Sequence, residues 1–182
     1  MWNGFPGAAH TGAARAAVEE LARDTLSGPA ILIGAPWAED GKLYNAMLLL
    51  DGGKIAGVTR KHDLPNYGVF DEKRVFAPGP PPKPLTVRAV RLGLPICEDI
   101  WKAQVTAGLA SAGAEILCVP NGSPFEAGKE DVRLQLAAAR VKESGLPLIY
   151  LNQLGGQDEV VYDGASFVLN PDASIAAALP GW

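Results

Sequence analysis

Two runs in the second half of the chain, EILCVP (Glu115 to Pro120) and LPLIYLN (Leu146 to Asn152), are apolar at nearly every position, with a helix-forming segment, Glu130 to Ser144, between them. A strand with one face in water alternates apolar and polar residues, so runs without alternation belong to a sheet covered on both sides. The same order extends outward from this pair: a strand is predicted over Val90 to Cys97, a helix over Trp101 to Ala112 and a further strand over Gly164 to Leu169. Strands interleaved with helices predict a buried α/β sheet, and function is expected at the strand ends and in the loops that follow them.

The first half is built differently. Residues Ala13 to Arg23 are helix formers, with Ala17, Val18 and Leu21 at helical spacing, and Ser27-Gly28-Pro29 ends the pattern. Three short apolar runs follow, Ile31 to Trp37, Lys42 to Leu50 and Lys54 to Arg60, separated by Glu39-Asp40-Gly41 and Asp51-Gly52-Gly53. Such turn signals join antiparallel strands. The stretch from His62 to Pro84 is loop-like, and its cluster Pro78-Gly79-Pro80-Pro81-Pro82 stiffens an extended connection through fixed φ angles.

A chain of 182 residues, 48% hydrophobic and 20% charged, has the length and composition of one globular domain with one core. Sixteen Lys and Arg against twenty Asp and Glu give a net charge of -4 with neither sign gathered into a run, so no nucleic-acid partner is expected. No apolar run approaches the ~18 residues of a membrane helix. The start MWNGFPGAAHTGAAR also lacks the basic-then-apolar order of a signal peptide, so a soluble, cytoplasmic protein is expected. Cys97 and Cys118 match no disulfide or metal spacing, and His10 and His62 stand apart, so no metal site is expected.

Cys97 closes the run RLGLPIC and is followed at once by Glu98-Asp99-Ile100-Trp101. A thiol where a strand gives way to a helix lies near backbone N–H groups and the positive end of a helix dipole, both of which favour thiolate. The N–H of Glu98 is then placed to hold an oxyanion on a carbonyl that the thiolate attacks. Read alone, Cys97 is equally a small buried hydrophobe, and Cys118 inside EILCVP belongs to the core. Lys61 ends the third apolar run of the first half and begins KHDLPNYGVFDE, which carries Tyr67, Phe70, Asp71 and Glu72. A partly desolvated lysine there supplies positive charge to an oxyanion; the ordinary alternative is a solvated strand-terminal lysine.

Three segments in this order, KHDLPNYGVFDEKRVF, PICEDIW and VPNGSPFEAGKEDVR, with the later LIYLNQLGGQDEVVYDGASFVLN, resemble the glutaminase domain of bacterial glutamine-dependent NAD synthetases, within the nitrilase superfamily of Glu-Lys-Cys amidohydrolases. The resemblance covers most of Ala17 to Trp182. It implies an α/β fold, the nitrilase-like four-layer α-β-β-α sandwich, with Cys97 as nucleophile, Lys61 as the cation of the triad and Glu72 as a second glutamate beside that lysine. It also implies that Tyr67, Ser123 and Lys129 bind glutamine. For each the plain alternatives stay open: a loop aromatic, a turn serine before Pro124 and a surface charge at a helix start. The implied reaction releases ammonia from glutamine through a Cys97 thioester, for amidation of deamido-NAD by a synthetase domain.

In this family ATP and Mg belong to that synthetase domain, whose SGG-x-D-S loop has no match here, so no cofactor is expected in this chain. Nor does any segment match the family's upstream catalytic glutamate, which lies in a stretch like FPELxLTGYPPEDL. Residues 1 to 13 read as an atypical N-terminal segment, and residues 14 to 182 as a partial carbon-nitrogen hydrolase domain without the first β-α-β unit. Glu19 and Glu20 fall in the predicted helix and Glu39 in a turn, all three reading as surface acids, so no residue is assigned as the base and weak turnover is expected. Superfamily members commonly pair sheets across a dimer, which implies a homo-oligomer or a synthetase domain as partner. Two other readings remain: a stand-alone amidase of the same superfamily, and a non-catalytic interaction module on the same scaffold.

Overall fold

The structure, a computed structural model, describes residues 8 to 182, so most of the atypical opening segment lies outside the described residues. The chain divides into two compact units, one running up to Pro81 and the other from Pro82 onward. Where chain length predicts one core, the buried apolar residues form two separate clusters. The reason is local, since each unit has a sheet and at least one helix of its own to close a core.

In the first unit, α1 (Ala8–Asp24) precedes an antiparallel meander of β1 (Ile31–Glu39), β2 (Lys42–Asp51) and β3 (Lys54–Arg60). The helix takes in residues 8 to 12 as well as the predicted ones. Both turns of the meander are two residues long with positive φ at both positions: Asp40 and Gly41 at 49° and 72°, Gly52 and Gly53 at 61° and 79°. That backbone twist matches the right-handed twist of the strands, and Asp-Gly and Gly-Gly reach it at little steric cost. Val18 and Ala22 of α1 pack with Trp37, Ala46, Leu48 and Leu50. Arg15 caps this packing by lying over the Trp37 ring at 3.8 Å while donating to the Ala38 carbonyl.

The second unit holds a mixed six-stranded sheet in the order β11-β10-β7-β6-β5-β4. Its members are β4 (Leu85–Val87), β5 (Val90–Gly93), β6 (Ile116–Asn121), β7 (Leu148–Asn152), β10 (Phe167–Leu169) and β11 (Ile175–Ala178); β8 (Leu154–Gln157) and β9 (Val160–Asp163) form a separate hairpin. Strands β5, β6 and β7 are parallel neighbours, linked by α2 (Ala103–Ser111) and α3 (Lys129–Ser144). The helices cover the sheet with Leu109, Ala137 and Val141 against Leu117, Val119, Leu148 and Leu169. Burying a leucine side chain contributes roughly 1.5–3 kcal/mol, so this apolar layer dominates the energetics of the unit. Acidic Glu130 and Asp131 open α3, and Gly145 at φ 70° ends it, its N–H donating to the Val141 carbonyl at 2.7 Å.

Two elements differ from expectation next to the nucleophile. The strand predicted to reach Cys97 ends at Gly93, and the helix after it is a single 3-10 turn, Cys97–Trp101, with α2 starting only at Ala103. Pro95 explains the first, because it removes a ladder donor and ends the pairing. The helix-dipole argument for a Cys97 thiolate weakens accordingly, since one 3-10 turn carries little of the dipole of a full helix.

Gly79 in the proline cluster shows how the loop from His62 to Pro84 is fixed. Its N–H donates to the Lys61 carbonyl at 2.7 Å, and its own carbonyl lies 2.8 Å from His62 Nδ1. A Cβ at Gly79 would meet the Arg60 carbonyl oxygen at 2.6 Å and its carbon at 2.9 Å, both backbone atoms. Gly79→Ala is therefore expected to lower stability by about 1–3 kcal/mol, read as a fall in the urea midpoint at unchanged slope; an unchanged midpoint would contradict the close packing.

Candidate active site

Lys61 follows β3 directly, and its backbone is held on both sides: its N–H donates to the Asn45 carbonyl at 2.8 Å, and its carbonyl accepts from Gly79. The side chain is 1% exposed, and Nζ donates to Glu72 Oε1 at 2.7 Å. Burial on this scale sets aside the solvated-lysine alternative, because an ammonium out of water needs a charged partner. Glu72 opens a 3-10 turn, Glu72–Arg74, with its N–H on the Pro65 carbonyl. Its other oxygen, Oε2, is buried and takes no hydrogen bond among the described residues. Tyr67 lies in the same loop, 56% exposed and edge-on to Phe70 with ring centroids 5.7 Å apart.

In the second unit, adjacent parallel strands deliver three residues at their C-terminal ends. Cys97 comes after β5, Ser123 after β6, and Asn152 is the last residue of β7, paired in register with Asn121 of β6. Such ends are where open α/β sheets place their chemistry. Cys97 is half-buried with φ at 49°, a left-handed conformation that costs a non-glycine residue energy and is held here by its surroundings. The surroundings are identifiable: buried Asp99 accepts from the Ile96 N–H at 2.9 Å, and the Asp99 N–H returns to the Ile96 carbonyl at 3.1 Å. These reciprocal bonds close the turn around Cys97 and Glu98.

Ser123 is buried and gripped from several directions. Arg133 of α3 donates from Nε to Ser123 Oγ at 3.0 Å, and from Nη2 to the carbonyls of Ser123 and Pro124 at 3.0 and 2.9 Å. Its Nη1 donates to both oxygens of Asp163, each at 2.8 Å. Asn152 completes the grip, accepting the Ser123 N–H on Oδ1 at 2.9 Å and donating from Nδ2 to the Ser123 carbonyl at 3.2 Å. Ser166 Oγ accepts the Asn152 N–H in turn. Lys129 stands one helical turn before Arg133, its side chain 17% exposed and paired with Glu126 at 2.6 Å.

Arg133, Asp163 and Asn152 escape a reading of the sequence, where an arginine inside an α3-type helix and an acid in VVYDG look like surface charges. For Arg133 a signal exists in its face: it shares the buried stripe of α3 with Ala137 and Val141, at helical spacing. Of the acids weighed as surface charges, Glu19 is exposed within reach of Arg15 and Glu39 is paired with Arg60.

Electrostatics tie the strand ends together. Burial pushes the Tyr150 hydroxyl far above its usual range and the charge of Cys97 adds to this, while the Arg133 guanidinium and a hydrogen bond with Ser123 pull it back. Tyr162 is likewise raised, first by burial and then by Cys97. Both phenols are therefore neutral hydroxyls. Burial alone pushes the Cys118 thiol up to about 11.

The α/β fold is that of the nitrilase superfamily, a class of carbon-nitrogen hydrolases. The chain belongs to the carbon-nitrogen hydrolase family, whose model matches residues 3–182. It is 51% identical to the glutamine-dependent NAD(+) synthetase of Rhodobacter capsulatus over 93% of this chain and 31% of that protein. It is 44% identical to that of Xanthomonas campestris over 83% of this chain and 28% of the relative. The chain thus spans about a third of the length of the curated relatives it matches. Among solved structures it resembles a glutamine-dependent NAD+ synthetase from Acinetobacter baumannii, with a TM-score of 0.85, 33% identity, 98% of this chain and 35% of the other covered. An amidase from Nesterenkonia sp. also aligns, with a TM-score of 0.82 at 29% identity over 96% of this chain and 65% of the amidase.

Two measurements probe the site's charges. Lys61→Met leaves the Glu72 carboxylate without its partner and is expected to cost about 3–5 kcal/mol in urea unfolding, with most of the loss recovered in Lys61→Met/Glu72→Gln; full additivity of the single losses would contradict the pairing. With iodoacetamide near pH 8, mass spectrometry is expected to find Cys97 modified and Cys118 untouched, because a thiol with a raised pKa stays protonated until the pH approaches that value. Equal modification of both thiols would contradict the burial of Cys118.

Proposed function

We propose that this chain is a glutaminase module of the NAD synthetase type, which attacks the side-chain carboxamide of glutamine with Cys97. The observation that carries the reading is a strained cysteine after β5 and a serine fixed by hydrogen bonds after the adjacent parallel strand β6, in a chain 51% identical to a glutamine-dependent NAD(+) synthetase. In this reading Cys97 Sγ bonds to the carboxamide carbon, and the oxyanion takes charge stabilisation from Lys61 and the Glu98 N–H. The C–N bond breaks, ammonia leaves with the thiol's proton, and water then cleaves the thioester to glutamate. Glu72 holds Lys61 in place, while Tyr67, Ser123 and Lys129 bind the amino-acid end of glutamine.

Ammonia made this way serves amidation of deamido-NAD by a synthetase domain, which makes that domain the natural partner and places the module in a ligase. ATP and Mg act on that domain, and this chain itself takes no cofactor. Cys97 and Cys118, neither of them in a disulfide, suit the reducing cytoplasm. Cys97 itself is expected to react with substrate-shaped electrophiles.

The diazomethyl ketone analogue of L-glutamine separates the readings. Saturable loss of dinitrogen with one adduct on Cys97, blocked by L-glutamine and not by propionamide, is the expected result. Equal protection by propionamide would favour a simple amidase, as in the Nesterenkonia neighbour, and labelling that does not saturate would overturn the catalytic reading in favour of a non-catalytic scaffold.

A further inference from the structure

The buried guanidinium of Arg133 makes more bonds to the Ser123 turn than to its own counter-ion. Neutralising Arg133 needs only Asp163, which takes a single nitrogen, Nη1. The remaining donors, Nε and both hydrogens of Nη2, are directed at Ser123 Oγ, the Ser123 carbonyl and the Pro124 carbonyl. With Asn152 on the Ser123 N–H and carbonyl, every polar group of Ser123 is bonded from another element. Burial explains why these groups need partners, but a buried hydroxyl is satisfied by any neutral donor or acceptor, whereas here a buried cation, its counter-ion and an asparagine from three other elements converge on one turn.

We infer that Arg133 is a positioning residue for glutamine recognition: it fixes Ser123 as a hydrogen-bond donor at the end of β6. This inference rests on the proposed glutamine reading. The chemistry follows from the hydroxyl's inventory. The Nε–H of Arg133 occupies one lone pair of Oγ, so the hydroxyl proton is directed away from the guanidinium. A serine held as a donor reads an acceptor, which on glutamine is the α-carboxylate and not the α-ammonium. The ammonium of Lys129, one turn earlier on the same helix, suits the same anionic end. Asp163 keeps the guanidinium neutralised, and its Oδ1 also receives Asn152 Nδ2 at 3.4 Å, so one carboxylate holds both halves of the grip.

The test uses labelling of Cys97 by the diazomethyl ketone analogue of L-glutamine, with iodoacetamide as a measure of the thiol's own reactivity. Arg133→Lys keeps the charge but cannot reach Asp163, Oγ and both carbonyls together. It is expected to raise the half-saturating concentration of the analogue about tenfold, as for loss of a fixed charge-assisted contact, with the limiting rate and the iodoacetamide rate nearly unchanged. If Arg133→Lys loses its cooperative thermal transition, Asn152→Ala is the second variant, since it frees the Ser123 backbone without stranding a charge, and the same rise is expected. Removing the carboxylate from the probe by amidation should erase the difference between parent and variant. A half-saturating concentration within about twofold of the parent in both variants overturns the inference. Unsaturable labelling of the parent itself overturns it together with the glutamine reading.

Discussion

A guanidinium buried to 1% exposure is the constraint around which the second unit is organised. Removing a cation from water costs several kcal/mol unless a counter-charge and a full set of acceptors meet it, and Arg133 obtains both from other parts of the chain. Asp163 comes from β9, the carbonyls from the turn after β6, and Asn152 from the end of β7. The bonds therefore join a helix, the hairpin and two parallel strands at one place. Because a half-satisfied network is worse than an apolar core, each member needs all the others.

The first unit solves a similar problem with a lysine. Lys61 is buried by a loop whose path is set by Gly79, where the backbones run too close for a side chain, and its charge is met by Glu72 from the same loop. Both units thus carry one buried cation, one carboxylate and a turn fixed by backbone bonds. The difference lies in what the cation does with its donors. Arg133 spends its fork on the neighbouring turn, whereas the compact ammonium of Lys61 is a point charge held by its carboxylate.

Much of this was legible from the residues. Asp-Gly and Gly-Gly turns announced the meander, and unbroken apolar runs announced β6 and β7 with the helix between them. The hairpin of β4 and β5 was not legible, because its turn places Arg88 and Ala89 at φ 47° and 72°, where a glycine or asparagine would have signalled it. The hairpin of β8 and β9 escaped for the opposite reason: its first strand, LGGQ, is exposed throughout and has no apolar period. Cys97 and Lys61 stood out through their motifs, while the groups that hold Ser123 did not, since the helical spacing of Arg133 with Ala137 and Val141 marks a buried face without telling what an arginine on it would bond.

The central claim is that the turn carrying Ser123 is as firmly held as the strand before it, and native-state hydrogen exchange reads this directly. The Ser123 amide, bonded to Asn152 Oδ1, is expected to exchange as slowly as those of Leu117 and Val119 in β6, and only through opening of the whole unit. Exchange of Ser123 at the rate of an open surface loop, with Leu117 and Val119 still protected, would contradict the account.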